Sequence, residues 1–340
     1  TPRRLVWCLP MRVLVEQTRD NIVGWLSYLG VYGVTGNGKV SVHVLMGGED
    51  DLDSWAKHPE EDMILIGTQD MLLSRALMRG YGMSRYQWPI HFSLLHNDCL
   101  WVYDEMQLMG AGLATSAQLE AFRRSFILAK TSRSLWVSAT LRRDWLATVD
   151  LRPLVDSWQR HTIDDADRQQ AGDRLNAAKS LQVATAHLDT ENSKKNAELY
   201  LETLCTEVLA HHDASAQTLV IINNVGRAQQ LFKLLREKRA DKADLLIHAR
   251  FRPAERAAQT SRLRDEGVDR IVIATQAIEA GVDMSSKVMF TELAPWTSLI
   301  QRFGRCNRDG KHNENGARIF WINIESDKTL MLPYTSESLE

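Results

Sequence analysis

Apolar residues in this chain fall into short runs bounded by polar or glycine-bearing stretches. The runs Leu5-Val6-Trp7, Met63-Ile64-Leu65-Ile66, Leu100-Trp101-Val102-Tyr103, Leu135-Trp136-Val137, Leu219-Val220-Ile221-Ile222, Ile271-Val272-Ile273 and Val288-Met289-Phe290 each read as a buried strand. Between them the period changes. Val13, Leu14, Gln17, Ile22, Trp25 and Leu26 recur at roughly helical spacing, and Leu231, Leu234 and Leu235 mark the buried side of a helix over residues 227–239. Strand–helix alternation of this kind predicts α/β domains, with parallel sheets flanked by helices. It runs through the chain twice. Residues 1–152 hold the first series, and 181–340 the second, which opens on Lys179-Ser180-Leu181-Gln182-Val183. Residues 153–180 are polar without strong periodicity and read as a connector or insertion.

At 340 residues, two domains are the default expectation. A net charge of −2 excludes a globally basic nucleic-acid binder, so any such contact must be local, in a groove. The four cysteines (Cys8, Cys99, Cys205, Cys306) form no C-x-x-C pair, which argues against a zinc site or disulfide framework and for a reducing, cytoplasmic setting. No apolar run approaches the ~18 residues of a membrane span.

Two stretches carry the chemistry. Asp104-Glu105 follows the apolar run 100–103, at the C-terminal edge where open parallel sheets place their ligands. Adjacent carboxylates there suit complementary roles. Asp104 is assigned to Mg²⁺, which prefers oxygen ligands and keeps its hydration, and Glu105 to the attacking water. Gln107 cannot change charge near neutral pH and is expected to act as a hydrogen-bond relay between domains. Ser138-Ala139-Thr140 ends the next strand, placed to bond those carboxylates and relay cleft closure. The second stretch is Gln301-Arg302-Phe303-Gly304-Arg305-Cys306-Asn307-Arg308. On a helix, Arg305 and Arg308 would share one face, with Gly304 allowing close backbone approach. Two fixed guanidiniums suit phosphate oxygens and the charge of a transferring phosphoryl group.

Other signals read as bland. Gly33-Val34-Thr35-Gly36-Asn37-Gly38-Lys39 fits G-x-x-x-x-G-K, but an alternating stretch follows where a phosphate loop needs a helix. It reads as a turn into a strand, and the true phosphate loop is expected upstream of Thr1. His211-His212-Asp213 contains the dipeptide of an HD nuclease but reads as a polar helix end. The His161, Asp164, Asp165 and Asp167 cluster reads as solvated. Thr68 and Gln69 suit either a phosphodiester contact or a helix cap.

The order of these stretches resembles superfamily-two helicases, which implies two tandem RecA-like domains of the P-loop NTPase type with ATP and Mg²⁺ between them. The resemblance implies roles residue by residue. Pro10 and Arg12 (in LPMRVLVEQT), Thr68, Gln69, Thr275 and Gln276 would touch the nucleic-acid backbone. Gly281 and Asp283 would link nucleotide to track. Gln301 and Arg302 would line the ATP site, with Arg305 and Arg308 as arginine fingers. More narrowly, residues 67–110 and HVLMGGE at 43–49 resemble the helicase of CRISPR type I interference systems, variant I-U or I-G, where the D-E-x-H box becomes D-E-x-Q. That implies ATP-driven movement on single-stranded DNA, loading by a guide-RNA surveillance complex, and an HD nuclease on the same or another chain. Two alternatives stand beside it: an RNA helicase, since the motifs do not separate DNA from RNA, and a non-catalytic docking module.

Overall fold

Two series of β-branched runs build two parallel sheets, one in each of two compact units, Thr1–His161 and Thr162–Glu340. The computed structural model describes residues 2–339 apart from Thr140, Leu141, Arg264, Glu266, Ala280 and Asn315. The expectation for Thr140 therefore lies outside the described residues.

The first unit runs β1 (Arg4–Leu9), α1 (Arg12–Tyr28), β2 (Ser41–Leu45), β3 (Met63–Thr68), α2 (Gln69–Ala76), α3 (Trp88–His96), β4 (Cys99–Tyr103), α4 (Ala111–Ser125), β5 (Arg133–Trp136) and α5 (Arg152–Val155). Its sheet has the order β2-β3-β1-β4-β5, every pairing parallel. In β1 the register pairs Val6 with both Leu65 and Trp101, and all three side chains are fully buried. A stacked row of rings, Trp101–Tyr103–Trp136–Trp158, continues across β4 and β5, with centroid spacings of 5.4, 5.6 and 5.1 Å.

The second unit runs α6 (Asp165–Ala171), β6 (Lys179–Val183), α7 (Lys194–His211), β7 (Gln217–Ile221), α8 (Val225–Lys238), β8 (Leu245–Ile247), α9 (Pro253–Arg262), β9 (Arg270–Ala274), β10 (Val288–Glu292), α10 (Trp296–Phe303), β11 (Ala317–Ile322) and α11 (Ser336–Leu339). Its sheet, again all parallel, has the order β6-β11-β10-β7-β9-β8. Strands β7, β9 and β10 are buried along their whole length, as parallel strands covered on both faces require.

Several expectations change in detail. Residues 33–39 form turns leading into β2 with no helix after them, so the apparent phosphate loop is a turn. The strand expected through Thr140 ends at Trp136, which leaves Ser138 and Ala139 beyond it. Asp164 caps α6 and Asp167 returns the bond to the Asp164 backbone, so both serve a capping box. His212 closes α7 and bonds Asp269 and Thr218 at 2.8 Å each, while Asp213 pairs with Lys287. That triplet is a polar helix end. Among the described residues no group of three or more His, Cys, Asp or Glu side chains is arranged to hold a metal.

Candidate functional site

In the first unit the C-terminal ends of β1 and β4 lie side by side, because Cys8 pairs with Tyr103. The chain leaving β4 is fixed there: Asp104 N–H donates to Cys8 O at 3.1 Å. The Asp104 carboxylate accepts Trp7 Nε1–H on Oδ2 at 3.2 Å and the Glu105 N–H on Oδ1 at 2.8 Å. Glu105 then turns the backbone with φ 51° and ψ 44°. A residue with a Cβ in this left-handed region costs roughly 1–3 kcal/mol, and such residues gather at functional sites. Neighbouring bonds hold it: Val137 N–H donates to Tyr103 O, and Met106 N–H to Val137 O.

Gln107 joins the carboxylate to the next strand. Its Nε2 donates to Glu105 Oε2, and its Oε1 accepts Ser138 Oγ–H at 2.6 Å. The expected direct bond from Ser138 to the carboxylates is replaced by this chain through Gln107. These bonds join the segments that follow β4 and β5. Asp104 and Glu105 offer oxygen donors at a sheet edge, and Asp104 is oriented by two protein donors. This donor set fits a hydrated Mg²⁺ that completes its shell with water and phosphate.

The residues expected to touch a nucleic-acid backbone differ in exposure. Arg12 is exposed at the start of α1, and Pro10 is half-buried. Thr68 is buried at the N-terminal cap position of α2 and makes no side-chain cap bond. Gln69 turns its amide oxygen toward α4, where a Cβ on Gly112 would lie 2.2 Å away. In the second unit Thr275 is 2% exposed. Gln276 donates through Nε2 to Asn223 O at 3.0 Å.

The arginine-rich stretch departs from the expected helix face. Helix α10 ends at Phe303, with Gly304 as its C-cap, so Arg305 and Arg308 lie past the helix. What approaches a Cβ on Gly304 is its own helix, Gln301 O at 3.4 Å, and not a foreign backbone. Asn307 adopts φ 46° and bridges Ser286 to the segment after the helix through N–H donation to Ser286 O. The arginines instead converge on the loop that follows β9. Arg302 Nε meets the Glu279 carboxylate at 2.8 Å, Arg305 Nη2 donates to Glu279 O at 2.8 Å, and Arg308 pairs with Asp283 at 3.4 Å. Gly281 in this loop has φ 70°, a backbone that favours glycine.

Arg302 does not line an open site. It is 0% exposed, and every nitrogen of its guanidinium is engaged. Beyond Glu279, Nη1 donates to Thr291 Oγ1 and Glu292 O, both at 2.9 Å; Nη2 donates to Asn223 Oδ1 at 2.9 Å and the Tyr334 hydroxyl at 3.1 Å. Gln301, on the same helix, is half-buried.

Sequence reasoning missed the partners of this arginine. Asn223 donates its N–H to Glu292 Oε2 at 2.6 Å and its amide to Leu293 O at 2.8 Å. Glu292, fully buried, also accepts from the Tyr200 hydroxyl at 3.0 Å and from Arg227 at 3.0 Å. The Tyr200 hydroxyl is held protonated by burial first and by the Glu292 charge second. The available signal was a single carboxylate closing a fully buried strand, VMFTE.

Residues 214–311 match the family described as CRISPR-associated nuclease/helicase Cas3, C-terminal. A CRISPR-associated helicase Cas3 from Thermoproteus tenax is 37% identical over 102 residues, 28% of this chain and 17% of that protein. The chain spans about a fifth or less of the length of the curated relatives it matches. Among solved structures, T. fusca Cas3 with ATP superposes with a TM-score of 0.64 at 18% identity, over 99% of this chain and 42% of that one. Mycobacterium smegmatis helicase Lhr, bound to single-stranded DNA and AMP-PNP, gives 0.57 at 17% identity, over 95% and 40%. These likenesses name Cas3 in general and do not separate subtypes. Residues 214–311 are thus similar to the C-terminal part of the Cas3 nuclease/helicase family, and the two parallel-sheet α/β domains share the RecA-like fold of the solved Cas3 structures.

Proposed function

We propose that this chain is the motor core of an ATP-dependent single-stranded DNA translocase acting in CRISPR type I interference, of the I-U (I-G) kind. The observation that carries the reading is the Asp104–Glu105 pair at the end of β4, with Asp104 oriented by Trp7 and Glu105 held by Gln107, which Ser138 holds in turn. Asp104 would hold a hydrated Mg²⁺, which when bound supplies positive charge against the phosphate oxygens. Glu105 accepts a proton from the attacking water as its oxygen bonds the γ-phosphorus and the bond to the ADP oxygen breaks. Gln107 keeps the carboxylate aimed, and its own charge never changes. Arg305 and Arg308 balance negative charge on the transferring phosphoryl group. Because both arginines bond the 279–283 loop, a shift of that loop on nucleotide turnover moves its neighbours Thr275 and Gln276, the residues assigned to the track. The fold family's ATP-bound and DNA-bound members support this reading; the guide-RNA complex and an HD nuclease as partners rest on the I-U resemblance.

The test is ATP turnover and single-stranded DNA binding by the full-length protein. Asp104→Asn and Arg305→Ala should each lower turnover by about a hundredfold or more, the usual loss for a charge-stabilising group. DNA affinity should stay near wild type in both. Wild-type turnover in either variant overturns the assignment.

A further inference from the structure

Between Asp70 and Asp98 the sequence holds no acidic residue; these 27 positions carry Arg75, Arg79 and Arg85, in a chain of net charge −2. The segment covers α2, the following loop and α3. Its loop exposes aromatic and aliphatic side chains. Tyr81 is 65% and Tyr86 92% exposed, with Leu77, Met78 and Ile90 also open to solvent. Arg79 and Arg85 are exposed among them, and the Arg85 guanidinium lies 6.0 Å from the Trp88 ring centroid. A second observation lies underneath. A Cβ on Gly80 would sit 3.2 Å from Arg75 Cγ, so the loop rests on that side chain. Arg75 is 1% exposed and donates one bond to Met71 O at 3.2 Å. Its Nε and Nη2, like the indole N–H of Trp88, have no hydrogen-bond partner among the described residues.

Exposed tyrosines interleaved with arginines, in a segment without a carboxylate, match the chemistry of a single-stranded nucleic acid. Rings stack on bases without sequence preference, and guanidiniums pair with phosphates. We propose that residues 77–90 form a stacking platform for single-stranded DNA, with Tyr81 and Tyr86 against bases and Arg79 and Arg85 on phosphates. The inference rests on the translocase reading and adds a contact outside the residues it uses.

The experiment measures binding of a fluorescently labelled oligothymidylate to the full-length protein across a salt series. Tyr81→Ala with Tyr86→Ala should weaken binding by about tenfold or more, and Tyr81→Phe with Tyr86→Phe should restore it. Arg79→Ala with Arg85→Ala should flatten the salt dependence, by about one unit of slope for each phosphate no longer neutralised. ATP turnover without DNA should not change in any of them. Wild-type affinity and slope in the alanine variants would overturn the proposal. So would unchanged DNA binding with loss only of recruitment by the guide-RNA complex, which would make the surface a protein contact. Failure of the wild-type protein to bind the oligonucleotide would instead overturn the translocase reading, and this inference with it.

Discussion

Arg302 uses its whole guanidinium inside the second unit, whereas Arg305 and Arg308 a few positions on contact the loop that follows β9. The three look alike in the sequence, because a Q-R-x-G-R-x-x-R pattern carries no record of which side chain ends up under Glu279 and Tyr334. Burial decides it. Arg302→Lys keeps the charge but offers fewer donors, so Asn223, Thr291 and Tyr334 compete for what remains. The second unit should lose about 3–5 kcal/mol in denaturant unfolding, the scale of breaking a buried charge network. The Michaelis constant for ATP should not rise in the variant that still folds. Unchanged stability with weakened ATP binding would return Arg302 to the nucleotide. Asp104 and Glu105 were readable because a carboxylate pair at the end of a buried strand is visible in one dimension. Asn223 and Glu292 were not, since their partnership joins the segment after β7 to β10 across 69 positions.

Helix α3 shows what its sequence pattern does and does not reveal. Its amphipathic character does not stand out in the sequence, yet it buries two histidines, His91 beside Trp55 and His96 bonded to Ala76 O. Burial first lowers the pKa of each to about 4; Asp53 opposes this at His91, and the bond to Ala76 O opposes it at His96. The unfolded chain binds protons near the ordinary histidine value, so it holds more protons than the folded one between those limits. Stability is therefore fully present above about pH 6.5 and falls as pH drops toward about 4. The melting temperature of the first unit should fall across that window, and fall less in His96→Gln, which can still donate to Ala76 O but gains no proton. A flat melting temperature would show that these rings are solvated. At this scale the strands were legible from their apolar runs, while boundaries were set by tertiary contact. Strand β5 stops at Trp136, and α10 stops before the arginines. Strand β11 escaped notice altogether, although it pairs between β6 and β10.

Each unit of the molecule holds part of what the translocase reading requires: oriented carboxylates on one sheet, arginines gathered on one loop of the other. Alternation of strand and helix made the two-sheet fold legible, because parallel pairing needs crossovers and crossovers impose that rhythm. Net charge argued against a globally basic binder, and no helix among the described residues is long and apolar enough to cross a bilayer. The choice of DNA over RNA is not written in the motifs, since both would present the same backbone phosphates to the residues proposed for the track, Thr275, Gln276 and Arg12. The most direct measurement is therefore ATP hydrolysis by the full-length protein alone, with single-stranded DNA, and with single-stranded RNA. The account predicts strong stimulation by DNA and little by RNA, abolished by Asp104→Asn. Equal or greater stimulation by RNA would contradict it, as would hydrolysis that ignores both.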